Sequence, residues 1–388
     1  MLTDMKRTCL SIIGKVMMRT RWNDIIGGLL GMGLLLMQGG CAEDHDEAEQ
    51  QPQRELHLSL GSQRYNLTRA SGDLPTSFVA YNHATALAPI TQIQTYLTYH
   101  EVKENEAVEN GYVSSIFNYQ QTAEEAHTWV SRVALKDGQY YLYGFLPKIG
   151  SEGNITIAPY NDNYANGAIL TFTGLNAVMT DDICVIVGAK AYSTEVPDMT
   201  NGLGKFDYHT DNGNNLFLLV DHLLAGIQFN MRMGEKYSQR RVIKVKSLKL
   251  TPKDGENAVV ATFNATVTIV ANENQTDPIS NVVFTTTTGT NPQAATLYEG
   301  EKELTVNYQS FLACSCPTEN KKYVLDTTYD VYDMKQNLIR EGQTARNVIT
   351  LTQNPQRGKL QTVNITVEPT YLYVLSDADL DNPTFKVE

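Results

Sequence analysis

Cysteine is scarce in this chain: there are five in 388 residues, and only Cys184, Cys314 and Cys316 lie beyond the first 41. Three is an odd number for a disulfide framework, and Cys314 and Cys316 are too close in sequence to bridge without strain. Stability therefore has to come from a packed core, and Cys184, inside the apolar run ICVIV, reads as a small buried hydrophobe. Basic charge is also in short supply. Past residue 41 there remain 26 basic and 41 acidic residues, a balance of −15. Such a surface repels phosphate backbones and anionic headgroups, which excludes nucleic acid as a partner. Catalytic signatures are missing as well: there is no G-x-S-x-G, no H-E-x-x-H, no phosphate-cradling glycine loop and no C-x-x-C. No enzyme and no cofactor are expected. Helical periodicity is absent beyond the short Thr122-Ala-Glu-Glu turn.

An apolar run of spanning length is lacking too. Ile25 to Met37 is uncharged and follows Arg19 and Arg21, but it falls short of the roughly 20 residues a membrane helix needs. Its layout is that of a secretion signal. Gly39 and Gly40 precede Cys41, the small-residue arrangement that a lipoprotein signal peptidase requires, so residues 1–41 read as a lipoprotein signal peptide with Cys41 as the lipidated N-terminus. Met17 or Met18 would serve as a start giving a shorter charged region. Residues 42–54 are acidic and lack apolar period, as a flexible tether would.

From Arg54 onward the pattern has period two. Leu56, Leu58 and Leu60 alternate with polar residues. Further strands are expected at Phe78–Tyr81, Gln92–His100, Tyr112–Phe117, Thr128–Leu135, Gln139–Phe145, Asn154–Ala158 and Ala168–Phe172, punctuated by Gly, Asn and Pro clusters. Ile183–Ala189 is apolar throughout, as a strand covered on both faces would be. Residues 193–215 are rich in Gly, Asn and Asp, and a domain boundary is placed there: 55–205 and 206–388. In the second half, Leu216–Val220 is a strand, and Asp221 to Leu224 reads as a helical turn or bulge. Ile227, Phe229 and Met231 resume the alternation. In VIKVKSLKL the parity changes, and a bulge near Lys246–Ser247 restores one face. Val259 to Ile269 alternate cleanly. Strands follow at Val282–Thr287, Lys302–Gln309, Val324–Tyr332, Leu338–Glu341, Val348–Thr352, Leu360–Val367, Tyr371–Leu375 and Thr384–Val387, with Met334–Asn337 as a hairpin loop. Short, regularly spaced strands of this number define an all-β chain of β-sandwiches.

Four groups of residues offer chemistry and are weighed against structural roles. Asp221 and His222 are neighbours on an extended chain and point apart, so a structural His is favoured. Cys314-x-Cys316 could set two thiols on one face but has no His at metal-ligand spacing. Asp377, Asp379 and Asp381, with Glu388 at the twelfth place, resemble a calcium loop, yet Asn382 and Pro383 break the pattern, and a turn is favoured. Trp129, Tyr140, Tyr141 and Tyr143 could stack on sugars, but alternating strands favour packing. No metal site is expected from any of these.

Four segments carry a resemblance: GAILTF through DDICVIVGAK, DHLLAGIQFNMR, TYDVYDMKQNLIRE and VEPTYLYVLSDADLDNP. They are similar to the fimbrillin-like lipoproteins of the Bacteroidales, relatives of type V pilus subunits, and the acidic tether resembles that of surface lipoproteins in the same order. The resemblance implies two tandem transthyretin-like Greek-key β-sandwich domains. It implies a surface lipoprotein of the outer membrane, a fimbrial subunit or pilus-associated adhesin that assembles with other subunits by donor-strand exchange. Leu56, Leu58 and Leu60 would then lie on a removable placeholder strand, Arg69 or Arg64 would be the cleavage point, and Phe385 and Val387 would belong to the donor strand. The alternative is a non-polymerising surface lipoprotein that binds a glycan or host protein.

Overall fold

Alternating apolar residues force strands throughout, and the strands close into layers. The computed structural model describes residues 53–60, 90–100, 111–121, 127–150, 154–191, 204–208, 215–270, 279–370 and 379–388. The strands in chain order are β1 (Gln53–Leu60), β2 (Gln92–His100), β3 (Val113–Gln121), β4 (His127–Ala134), β5 (Gly138–Leu146), β6 (Ile155–Pro159), β7 (Gly167–Asn176), β8 (Val178–Met179), β9 (Cys184–Ala191), β10 (Gly204–Tyr208) and β11 (Asn215–His222). The second half adds β12 (Ala225–Met233), β13 (Val242–Pro252), β14 (Val259–Val270), β15 (Ile279–Gly289), β16 (Ala295–Glu303), β17 (Gln309–Ser315), β18 (Lys322–Tyr332), β19 (Leu338–Thr350), β20 (Leu360–Thr370) and β21 (Asp379–Val387). Among the described residues the only α-helix is the single turn Glu235–Ser238, and no helix is long and apolar enough to cross a membrane. The protein is an all-β sandwich fold.

The first sheet runs β10-β5-β2-β3-β4-β1-β11-β9, and β9 returns to pair with β5 through Phe145↔Val185 and Leu146↔Cys184. Seven strands thus form a closed ring, with β10 added on β5, and closure removes the free edges that an open sheet would expose. The ring encloses Leu56, Leu58, Ile93, Leu97, Phe117, Trp129, Leu142 and Ile186. The Trp129 indole N–H, fully buried, donates to the Ile90 carbonyl at 2.9 Å, so its one polar atom is satisfied.

A second sheet, β15-β14-β7-β6, covers one outer flank of the ring. Tyr143, Phe145, Val185 and Val187 from the ring meet Leu170, Phe172, Ala265 and Val267 there. This is why ICVIV is apolar on both parities: Cys184 and Ile186 face inward and Val185 and Val187 outward. The β7–β14 ladder needs glycine at its end. A Cβ on Gly167 would run into the Ile269 carbonyl oxygen. The last layers, β21-β20-β12-β17-β8 and β16-β13-β18-β19, sandwich Phe229, Met231, Ile243, Val331, Ile365 and Phe385.

Much of the sequence expectation holds. β2 has its expected bounds, the parity change in β13 is a register shift between Val245 and Ser247, and the β18–β19 hairpin turns at 334–337. Other points are corrected. Lys302–Gln309 is the end of β16, a connection in which Leu304 is buried while Val306 and Tyr308 face solvent, and the first residue of β17. Leu338 to Thr350 is one strand. Asp221 and His222 end β11 in extended conformation, and the irregularity lies earlier, between Leu219 and Val220. The boundary at 205/206 falls inside β10, because Phe206 and Tyr208 bury into the ring core and pair their strand with β5; β11 pairs with β1 and β9 in the same ring. Phe78–Tyr81, Thr122 to Glu125 and Tyr371–Leu375 lie outside the described residues.

Candidate functional site

Among the described residues, the candidate places for function are β1 inside the ring, a tyrosine-lined cleft, and a buried polar cluster where β9 meets β11.

β1 is an interior strand. It pairs antiparallel with β4 from Gln53↔Ala134 to Ser59↔Thr128, and parallel with β11 from His57↔Asn215 to Leu60↔Leu218. Its inward residues Leu56 and Leu58 are buried, while Glu55 sits outside within an ion-pair distance, 3.3 Å, of Arg132. Leu60 pairs with Leu218 through its backbone; its side chain, with Cys41, Arg64 and Arg69, lies outside the described residues. At the other end of the chain, β21 pairs with β20, and Phe385 lies in the last core with its ring 5.0 Å from that of Tyr329. The Asn347 side-chain amide donates to the Phe385 carbonyl at 2.5 Å. Val387 is 43% exposed.

The cleft, about 530 Å³, is lined by Gln94, Tyr96, Tyr112, Ser114, Ser115 and Lys148, among others. Tyr112 is largely exposed and stands edge-on to Tyr96, centroids 5.3 Å apart. Gln94 Nε2 donates to Ser114 Oγ at 2.7 Å. Trp129, Tyr140, Tyr141 and Tyr143, by contrast, are buried packing residues. The Tyr143 hydroxyl donates to the Tyr164 carbonyl at 2.5 Å.

The third place was missed by sequence reasoning. Asp182, Cys184 and His222 converge on one buried spot. Asp182 and Cys184 are two residues apart and share a face, and His222 is the ladder partner of Cys184. The pattern Asp-x-Cys was visible in the sequence; the third member needed the β9–β11 pairing. Asp182 Oδ2 lies 2.7 Å from His222 Nδ1, and Cys184 Sγ lies 3.4 Å from the same nitrogen and 3.8 Å from Asp182 Oδ2. Asp182 Oδ1 is buried without a hydrogen-bond partner. Burial, then the neighbouring carboxylates of Asp182 and Asp221, push the Cys184 thiol well above its ordinary pKa. Arg357 holds the end of β11 by donating to Asp221 Oδ2 at 2.8 Å and to the His222 carbonyl at 3.1 Å.

Of the other groups weighed from sequence, Cys314 and Cys316 are buried free thiols. Asp379 and Asp381 belong to β21, and Asp381 pairs with Arg241 at 3.0 Å; Asp377 lies outside the described residues.

The fold and these places define a β-sandwich protein with a self-filled ring. No protein-family model and no curated protein matches the chain. Among solved structures it is similar to a candidate cell adhesion protein from Bacteroides uniformis, with 13% identity, 87% of this chain and 98% of that one covered, and a TM-score of 0.34. A fimbrial protein from Bacteroides vulgatus shares 13% identity over 76% and 91%, TM-score 0.31. The fimbrial anchor protein Mfa2 from Porphyromonas gingivalis shares 10% over 87% and 97%, TM-score 0.24. At TM-scores below 0.5 these neighbours offer names and no strand correspondence.

Proposed function

We propose that the chain is a surface lipoprotein, anchored through Cys41, that serves as a fimbrial subunit or pilus-associated adhesin and joins its partners by donor-strand exchange. The observation that carries this reading is the position of β1. It begins at Gln53 and so takes in the last two residues of the expected tether, and it is bordered on both sides by strands far away in sequence, β4 and β11. Removing it would open a groove with a row of unpaired backbone groups on each wall and two leucine-sized pockets in the floor, which is the form a strand-accepting site takes. Each fully buried leucine is worth about 1.5–3 kcal/mol, so a partner strand that refills both pockets gains a stable junction. Arg64 and Arg69 stand between β1 and β2, where a cut would separate β1 covalently. β21, with Phe385 and Val387 alternating with polar residues at the C-terminus, is the candidate donor. In the single chain Phe385 closes its own core, so donation requires β21 to leave β20.

Purified full-length chain trimmed by an arginine-specific protease tests this. Ladders in unboiled gel samples and filaments by electron microscopy are expected, and chains lacking Thr384–Glu388 should stay monomeric. Trimmed, folded protein with an intact C-terminus that remains monomeric at high concentration would sink the reading.

The second reading, a glycan-binding surface lipoprotein that does not polymerise, is favoured by the cleft. An exposed tyrosine beside amide, hydroxyl and ammonium groups suits sugar rings, whose apolar faces stack and whose hydroxyls need hydrogen-bond partners. Monomeric trimmed protein that binds a glycan array, and loses that binding on Tyr112→Ala, would support it.

A further inference from the structure

The buried cluster at the β9–β11 junction is the least expected chemistry in the molecule. A carboxylate, a thiol and an imidazole meet at one buried spot. We infer that Asp182, Cys184 and His222 form a binding site for a zinc-like divalent transition-metal ion that ties β9 to β11.

The donor set is the first support. Thiolate sulfur, imidazole nitrogen and carboxylate oxygen are the ligand types of protein zinc sites, with metal–ligand distances of about 2.3, 2.0–2.1 and 2.0–2.2 Å. Those lengths in tetrahedral arrangement put ligand atoms about 3.3–3.6 Å from one another. Of the two distances to sulfur, the 3.4 Å to His222 Nδ1 falls in that range and the 3.8 Å to Asp182 Oδ2 lies slightly beyond it. The Asp182–His222 separation of 2.7 Å is a hydrogen bond, and opening it by about 0.6–0.8 Å would let a metal take the place of the shared proton.

Unsatisfied polarity is the second support. Asp182 Oδ1 is buried with no partner, and the Asp182 side chain is 9% exposed. A buried carboxylate oxygen without a partner is costly. A cation beside the carboxylate would offset that cost. Charge is the third. One carboxylate, one thiolate and a neutral imidazole balance a dication, so the occupied site is neutral and suits burial. On binding, the Cys184 S–H bond breaks, its proton passes to solvent, and a metal–sulfur bond forms; the proton on His222 Nδ1 is lost there and one is regained at Nε2, so the imidazole stays neutral while Nδ1 binds the metal.

The surroundings fix the ligands. Cys184 is paired on one side with His222 and on the other with Leu146, and Arg357 grips the His222 carbonyl. Three protein ligands leave the fourth tetrahedral position to a water, and because all three are buried the ion would enter as the chain folds. None of the ligands belongs to β1, β21 or the tyrosine cleft.

The test is to produce the full chain in medium supplemented with zinc, or with cobalt in its place, and purify it without chelator. About one metal per chain is expected. The cobalt form should show a thiolate charge-transfer band in the near ultraviolet and tetrahedral bands in the visible. Cys184→Ser should abolish the charge-transfer band, His222→Gln should lose the metal, and Cys316→Ser should keep both. Folded, unmutated chain that is metal-free after either preparation and lacks the band would overturn the inference, even if the variants fail to fold. So would a band that persists in Cys184→Ser.

Discussion

Leu58 of β1 and Leu216 of β11 are registered partners in a parallel ladder, both buried, with Trp129 of β4 opposite Leu58 on the other side. The ring core is therefore closed by a strand that reaches it from the N-terminal end of the described chain.

Leu58→Ala should lower the stability of the full chain by about 2–5 kcal/mol, the usual cost of a large-to-small change in a core that cannot collapse around the void. Val387→Ala, at a position that is 43% exposed, should cost much less, about 0.5 kcal/mol. Chemical denaturation of the two variants checks the contrast; equal effects would mean that Leu58 contributes little to the ring.

Arg357 and Asp221 form an ion pair in which the carboxylate is nearly inaccessible, at 3% exposure, and the guanidinium is a quarter exposed. Arg357→Ala leaves a buried charge short of its partner and should cost about 3 kcal/mol, the low end for such a pair because of that exposure. Adding Asp221→Asn should recover part of the loss. A double-mutant cycle with no coupling would refute the pairing.

Asp333 caps the β18–β19 hairpin. The Asn337 side chain donates to Asp333 Oδ2 at 2.8 Å, and the backbone N–H groups of Lys335 and Asn337 donate to Oδ1. These bonds favour the carboxylate and hold its pKa below the ordinary aspartate value, the Asn337 side chain contributing most. A lowered folded-state pKa means stability that is present above the unfolded value and lost as pH falls through the folded one. Carboxyl-carbon NMR should show Asp333 titrating low, and Asn337→Ala should move it back toward the ordinary range. An unchanged titration would count against the cap.

Cys41→Ala should move the protein out of the membrane fraction, because the acidic segment that follows has no apolar period with which to hold a bilayer. Detergent-phase partitioning of the two forms reads this directly. An unchanged membrane fraction would overturn the lipoprotein reading of residues 1–41.

Local patterning made most strands legible, and partners were what it could not supply. The alternation from Phe263 to Ile269 identifies β14 alone, whereas nothing local says that β7 will lie beside it. β19 read as two strands because Glu341, Gly342 and Gln343 are polar on both parities, which a strand tolerates where both its faces are wet. β10 was hidden in a stretch rich in Gly, Asn and Asp; its signal was only Phe206 and Tyr208 two residues apart. For the same reason the cluster of Asp182, Cys184 and His222 was unreadable: Asp221-His222 taken alone points two ways, and only the register with Cys184 shows which residue faces inward. Leu56 and Leu58 were legible as one face of a strand, but not as the filling of a ring closed by β5 and β9.

The double pairing of β1 also has a mechanical meaning. Tension entering from the N-terminal side arrives along the axis of β1, so it loads the β4 and β11 ladders in shear, with their hydrogen bonds sharing the force, and does not peel one ladder open bond by bond. To creep forward the strand must slip by two residues at a time, since a slip of one would turn Leu56 and Leu58 away from the core. A protein tethered at that end is thus clamped at the point where a pull would reach it. A cut between β1 and β2 removes the covalent link yet leaves both ladders in place, which makes departure of the strand a separate step that a competing strand would have to drive.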